Sequence, residues 1–352
     1  MIVINSRFLT QDITGVQRFA IEISKQLKIL YGEEIQFVCP RNIIQNDLAN
    51  ELGVKVVGNQ TGHLWEQIEL PLYLQENGRP LLLNLGNTAP LLYFNKIIVL
   101  HSLSFLYKKW NSLAFHFLYK ITVPLNLISS KFIFTVSQYT KKEITKHYSY
   151  IKLIDKIDVI YNGSFGSKKT NIQSTENKQN YLLYVGSISS SKNVKGLVDA
   201  MNLVRIQHKD IDLKIVGSLN NKLFKDEKIV SNQFIEFCGH INNPDELKEL
   251  YLHAKAFVFP SLYESFGIPP LEAQECGCPI VISNTTALPE IFNDSALYFD
   301  PYNVNGIASK IITLLNNENL QKELIGKGFE NIKRFSWETS AKKIIDISER
   351  FK

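Results

Sequence analysis

Short apolar runs alternate with longer amphipathic stretches along most of the 352-residue chain. In the first half, the runs at 1–6, 35–39, 54–58, 81–85, 96–101, 131–137 and 157–161 predict strands. The stretches 15–31, 64–77, 112–129 and 138–148 carry apolar residues at helical spacing and predict helices. The strand runs are apolar on successive residues, which suits parallel strands covered by helices on both faces. Residues 164–180 hold almost nothing that could be buried and read as a linker. Alternation restarts at 181–186, 212–217, 234–238, 256–260, 279–283 and 296–299, and a helix near 336–351 closes the chain. The predicted fold class is α/β, with two doubly wound, Rossmann-like parallel-sheet domains facing a cleft, where open sheets place their ligands. The expected boundaries are a first domain at 1–163, the linker at 164–180, a second domain at 181–335 and a terminal helix at 336–352.

Composition supports a folded chain. Hydrophobic residues make up 45% and charged residues 21%, which excludes a disordered, collagen-like or coiled-coil protein. The four cysteines are scattered, and Cys276-Gly277-Cys278 has no zinc or redox spacing, so a reducing cytosol is expected. Met1-Ile2-Val3-Ile4 already reads as a strand rather than a leader, and no apolar run reaches the ~20 residues of a membrane span. A net charge of +5 tolerates an anionic surface or a nucleotide and does not call for nucleic acid.

The chemistry concentrates in strand-to-helix turns. One runs Thr14-Gly15-Val16-Gln17-Arg18, and another runs from Gly186 through Ser191-Lys192-Asn193. Small residues let backbone N–H groups approach an anion at a helix start. Neither turn is a G-x-G-x-x-G fingerprint or a Walker loop, so each by itself reads as an ordinary connection. The segment 256–277 carries Glu264, Ser265, Phe266 and Gly267, followed by Pro269-Pro270 and Glu272. It supports two accounts equally: a capped helix with Glu272 in its first turn, or free amides and two carboxylates gripping a phosphate or sugar. Asp210 and Asp212 have D-x-D spacing but precede a strand, which places them away from the expected site. No other acidic or histidine cluster has ligand spacing, so no metal is expected. His101 at a strand end reads first as a structural histidine. Residues 105–120 mix lysines with Trp110, Phe115, Phe117 and Tyr119 and read first as a core face, with an anionic membrane surface as the alternative.

The motifs FVFPSLYESFGIPPLE, TGVQRFAIEI, FTVSQYTKKEI, VIYNG, YLLYVGSISSSKN, LKIVG and FSWE occur in an order that resembles glycosyltransferase family 4 along nearly the whole chain. That resemblance implies a retaining enzyme of the GT-B fold, whose second domain binds a nucleoside-diphosphate sugar while the first binds an acceptor. It also implies site residues. Glu272 would hold the ribose, Glu264 with Phe266 and Gly267 the donor sugar, and Lys192 in the turn after Gly186 the diphosphate. Gly15 would close over the phosphates, His101 would lie beside the transferred sugar, and the last helix would cross back to the first domain. The expected catalytic set is therefore His101, Lys192 and Glu264. The expected donor-binding set is Gly15, Arg18, Gly186, Lys192, Phe266, Gly267 and Glu272.

Where the family commonly has arginine, this chain has Ser187 and Ser191, so Arg18 or the helix start at 268–270 is expected to share the diphosphate charge. Ser102 likewise replaces the aspartate that commonly follows the histidine at His101. The resemblance implies no metal and no cofactor beyond the donor, with GDP-mannose as the first choice. It implies a saccharide or lipid-linked oligosaccharide acceptor in bacterial surface-polysaccharide assembly, in a cytoplasmic enzyme at most peripheral to the plasma membrane. A sugar-nucleotide epimerase and a non-catalytic nucleotide-binding protein are the alternatives.

Overall fold

The computed structural model describes residues 1–165, 178–217, 233–241 and 243–351. Most of the expected linker, 166–177, lies outside the described residues. The chain divides into two units: Met1–Asn162 with Ser336–Lys352, and Gly163–Phe335.

Unit 1 is built on seven parallel strands: β1 (Ile2–Asn5), β2 (Ile35–Cys39), β3 (Lys55–Val56), β4 (Leu81–Asn84), β5 (Lys96–Val99), β6 (Phe132–Thr135) and β7 (Ile157–Val159). Their order is β3-β2-β1-β4-β5-β6-β7. The inner strands are buried along their whole length, because helices cover both faces and every side chain must be apolar or bonded. The chain winds outward from β1 on one side and from β4 on the other, so the reversal of order lies between these two strands. Helix Gly15–Tyr31 buries Phe19, Ala20, Ile23 and Leu27. The terminal helix Trp337–Ser348 packs against it through Trp337, whose ring lies 5.9 Å from that of Phe19. Ser336 caps this last helix by accepting the Thr339 N–H. Ser340 Oγ donates to the Tyr161 carbonyl at 2.6 Å, and Lys343 pairs with Asp158 at 2.8 Å. These bonds tie residues after 335 to β7.

Among its described residues, unit 2 holds six parallel strands: β8 (Tyr181–Val185), β9 (Asp212–Val216), β10 (Ile235–Gly239), β11 (Ala256–Phe259), β12 (Ile280–Ser283) and β13 (Leu297–Phe299). Their order is β10-β9-β8-β11-β12-β13, which puts the reversal between β8 and β11. Phe257, Val258, Ile280, Val281 and Ile282 are fully buried at its centre.

Candidate active site

In unit 2, the carboxyl ends of β8 and β11 carry the two loops that sequence marks. β8 is followed by Gly186, with φ +154°, whose N–H donates to the Val216 carbonyl at 2.9 Å. Gly217, with φ +157°, follows β9. A Cβ there would stand 1.9 Å from the Gly186 carbonyl oxygen, so two adjacent strand ends can approach only through glycine. The loop then runs to a 3-10 turn, Ser190–Lys192, and to Asn193 at φ 54°, where helix Val194–Gln207 begins. The Leu262 N–H donates to the Ser191 carbonyl at 2.8 Å and fastens this loop to the one after β11.

That bond brings together two of the predicted side chains, 72 positions apart. Lys192 Nζ donates to Glu264 Oε1 at 2.5 Å, with the side chains 23% and 12% exposed. The pair is thus half-sheltered at the switch point of the sheet, where a charged ligand gains most from fixed charges. Glu264 is held by its own backbone: its N–H donates to Thr286 Oγ1 at 3.0 Å, and its carbonyl accepts from Ala287 N–H at 3.3 Å. Thr286 pays a conformational cost for this, since φ is 56° in a β-branched residue. Nothing in the sequence marks Thr286; only the placement of the loop after β12 reveals it.

Phe266 and Gly267 turn out to serve the fold with their side-chain positions. The Phe266 ring is buried edge-to-face on Phe335, 5.4 Å between centroids, which leaves only its backbone to face a ligand. Gly267 has φ 104°, and a Cβ there would lie 2.8 Å from Leu288 Cδ2. Glu272 is the fifth residue of helix Ile268–Glu275, not part of its first turn, so the account in which it caps that turn is set aside. Its carboxylate is buried and accepts the Tyr251 hydroxyl at 3.2 Å. Burial and this carboxylate together push the Tyr251 hydroxyl far above its usual range. Pro269 and Pro270 lack N–H groups, so the helix start at 268–270 offers fewer anion-binding donors than an ordinary helix.

Unit 1 holds the remaining predicted residues. Gly15 is the first helical residue, beside the Thr14–Gln17 capping box, where the Thr14 N–H donates to Gln17 Oε1 at 3.3 Å. A Cβ at Gly15 would meet nothing within 4 Å, so the chain itself does not require glycine here. Arg18 pairs with Glu22 at 3.2 Å. His101 follows β5 and is buried, with Nε2 2.8 Å from the Leu85 carbonyl and its own N–H donating to Asn87 Oδ1 at 2.8 Å. A carbonyl only accepts, so Nε2 carries the proton and Nδ1 a lone pair. Burial pushes the ring down to about 4 despite the Leu85 bond, so His101 is a neutral hydrogen-bond acceptor and a weak base near pH 7. The Phe19 ring meets it edge-on at 4.7 Å, linking His101 to the helix of Gly15 and Arg18.

Sequence reading missed a polar network at the switch point of unit 1. Asn5 and Asn84, the last residues of β1 and β4, lie in register. Asn5 Nδ2 donates to Asn84 Oδ1 at 2.7 Å and to Glu66 Oε1 at 3.0 Å. Arg7 Nε reaches the same carboxylate oxygen at 3.2 Å, and its Nη2 donates to Thr88 Oγ1 at 2.8 Å. Glu66 sits in a π-helical turn, Trp65–Glu69, a local irregularity that often accompanies function. The signal was an asparagine closing each of two otherwise apolar strands.

Asp210 and Asp212 stand at the amino end of β9, with Asp212 paired to Arg205 at 3.3 Å, on the opposite edge from the loops above. Among the described residues, no three His, Cys, Asp or Glu side chains cluster as metal ligands would.

Comparison with known proteins places this geometry. Residues 167–331 match the family model described as glycosyl transferases group 1. Over 234 residues the chain is 32% identical to O-antigen chain mannosyltransferase B of Escherichia coli, covering 63% of this chain and 61% of that protein. It is 30% identical over 249 residues to the O-antigen chain mannosyltransferase RfbU of Salmonella typhimurium, covering 66% and 64%. The chain therefore spans about three fifths of the length of the curated relatives it matches. Among solved structures, WaaG, a glycosyltransferase involved in lipopolysaccharide biosynthesis, matches with a TM-score of 0.73 at 15% identity over 99% of both chains. HepE of Anabaena in complex with UDP and glucose matches with a TM-score of 0.74 at 17% identity, again over 99% of both. Residues 167–331 are thus similar to the group 1 glycosyl transferases, and the two doubly wound parallel sheets share the fold of WaaG and HepE.

Proposed function

We propose that this protein is a retaining glycosyltransferase that moves a sugar from a nucleoside diphosphate to a saccharide acceptor of a bacterial surface polysaccharide. The observation that carries the reading is the Lys192–Glu264 pair at the switch point of unit 2, a cation and a carboxylate held 2.5 Å apart at the strand ends. A diphosphate leaving group needs positive charge where its own charge develops, and a donor sugar needs acceptors for its hydroxyls. Unit 2 is the donor-binding part of this reading and unit 1, with His101, the acceptor part. Gly186 and the backbone of Phe266 and Gly267 give close approach to the donor, and Glu272 takes the ribose. Gly15 leaves room for the phosphates, and Arg18 adds charge once it exchanges Glu22 for the ligand.

The two mannosyltransferase relatives support mannose as the sugar, with GDP-mannose as our first choice of donor, whereas HepE was solved with UDP and glucose, which makes UDP the competing base. Thermal shift with GDP, UDP and dTDP decides between them, because a nucleotide bound only by the folded chain raises its melting temperature by mass action. Incubation with the matching sugar nucleotide then tests the reaction. Release of nucleoside diphosphate with transfer supports it, and isomerisation without release would replace it with an epimerase.

Glu272→Ala is expected to weaken nucleoside-diphosphate binding roughly 10- to 100-fold, since charge-assisted hydrogen bonds are worth about 1.5–3 kcal/mol. Tyr251→Phe removes only the internal partner of that carboxylate. Titration calorimetry on both variants separates the roles: a purely structural Glu272 would make the two lose affinity alike.

For the acceptor, we favour a lipid-linked saccharide, with the enzyme resting on the inner face of the membrane that carries it. Among the described residues, no helix is long and apolar enough to cross a membrane.

A further inference from the structure

Thr286 stands in a conformation that its own side chain resists. Its φ of 56° lies in the left-handed region, where glycine sits easily and a β-branched residue crowds the carbonyl that follows it. Such a backbone persists only where its surroundings hold it. A threonine before a short helix ordinarily caps that helix. Here helix Leu288–Phe292 has Ala287 at its cap position, which offers no side-chain oxygen. The Thr286 hydroxyl is used elsewhere. It accepts the Glu264 N–H at 3.0 Å and donates its proton to the Thr285 carbonyl at 2.8 Å. The second bond orients the hydroxyl and leaves its lone pairs for the Glu264 N–H.

The neighbours of Thr286 bind the same loop. Thr285 Oγ1 donates to the Ser261 carbonyl at 3.4 Å, and the Ala287 N–H donates to the Glu264 carbonyl at 3.3 Å. Residue 264 is therefore held through its N–H and its C=O by two adjacent residues of the loop after β12. With the peptide groups on both sides fixed, the direction of its Cα–Cβ bond is fixed as well. That direction aims the carboxylate at Lys192 Nζ. A glycine at 286 would relax the backbone and would leave the Glu264 N–H without this acceptor.

We propose that Thr286 is a positioning residue: its hydroxyl holds the Glu264 backbone so that the Glu264 carboxylate and Lys192 stand ready before a ligand binds. The proposal rests on the functional reading above, in which that pair meets the diphosphate and the donor sugar. Preorganised groups lose power on small displacements, and an ångström of misplacement can cost about 10²-fold in rate. Loss of the hydroxyl should therefore appear in kcat, with nucleoside-diphosphate affinity little changed.

Three variants of the full chain separate the hydroxyl from the strain. Thr286→Ser keeps the hydroxyl and should hold kcat within about threefold of wild type. Thr286→Val keeps the strained, branched residue without the hydroxyl, and Thr286→Gly removes both. Each should lose kcat roughly tenfold, while Thr286→Gly melts above Thr286→Val because its backbone is relaxed. A merely structural Thr286 would make kcat follow melting temperature, and that result would overturn the proposal. So would a Thr286→Val that lowers kcat as much in a Glu264→Ala background, where there is no carboxylate left to position. The bond itself is read without turnover, by hydrogen exchange at the Glu264 amide under selective isotopic labelling of glutamate. Exchange should be several-fold faster in Thr286→Val and Thr286→Gly than in wild type and Thr286→Ser. Equal exchange in all four would also overturn the proposal. Wild-type chain that turns over no sugar nucleotide would instead remove the functional reading, and the exchange rates would still decide whether Thr286 holds Glu264.

Discussion

Lys192→Ala is expected to lower kcat roughly 10²- to 10³-fold while leaving the binding of nucleoside diphosphate within a few-fold of wild type. Removing one preorganised donor to developing negative charge costs a rate factor of about that size. The lysine is already in place before any ligand arrives: its ammonium is fixed on Glu264, and the Ser191–Leu262 bond closes the loop over it. A fixed charge of this kind stabilises the departing diphosphate more than the bound ground state, so its loss appears in kcat rather than in affinity. The fold should survive. The pair is partly exposed, so its rupture costs less than the 3–5 kcal/mol of a fully buried one. Glu264→Gln keeps the shape and a hydrogen-bond acceptor, and its effect should be smaller. Single-turnover and steady-state kinetics with each variant check the split. An unchanged kcat in Lys192→Ala would remove Lys192 from the chemistry and leave the pair as a strut between two loops.

How much of this was legible in sequence depends on distance along the chain. The strands were readable because parallel strands covered on both faces must be apolar at every position, as Ala256–Phe259 and Ile280–Ser283 are. The glycine at 267 and the paired prolines marked a helix start for local reasons that hold in the structure. Juxtapositions were not readable. Lys192 meets Glu264 across 72 positions only because β8 and β11 are neighbours, and Thr286 holds Glu264 from 22 positions further on. Strand order decides both, and strand order is a property of the whole sheet. The stretch 105–120 shows a different limit. Aromatic residues there suggested core, and Phe105 is buried, while Phe115 and Tyr119 stack at 4.1 Å against the core cluster. Helix 113–129 is apolar nearly all round, so its pattern could not say which side faces the sheet. Its exposed residues Leu113, Phe117, Ile121, Leu125 and Ile128 are mostly aliphatic, and the aromatics beside them dominate the pattern.

Two buried bases should give unit 1 a stability that rises with pH in two separate windows. Lys96 is fully buried, its ammonium donating to the Pro90 carbonyl at 2.5 Å, and burial pushes it down to about 7, with Glu66 opposing in part. In the unfolded chain a lysine titrates near 10.4. Its folded value is depressed, so the folded state is favoured fully above the unfolded value, and that advantage is lost as pH falls through 7. From pH 7 to about 9.5, where tyrosines are still protonated, stability should climb by about 3 kcal/mol, at 1.36 kcal/mol per unit. His101, pushed down to about 4 by burial, adds a lower window in which stability is lost as pH falls from about 6.5 to 4. Lys96→Met should flatten the upper window alone. Its net gain at pH 7 should be a smaller ~1–3 kcal/mol, because the Pro90 carbonyl loses its donor and an unmade buried hydrogen bond costs about 1–3 kcal/mol. The measurement can be confined to one unit. Trp65, Trp110 and Trp337 are the three tryptophans of the chain, and all belong to unit 1, so urea unfolding followed by tryptophan fluorescence reports it alone. A wild-type midpoint that stays flat between pH 7 and 9.5 would mean that Lys96 keeps its proton in the folded chain and that the Pro90 carbonyl and Glu66 compensate its burial in full.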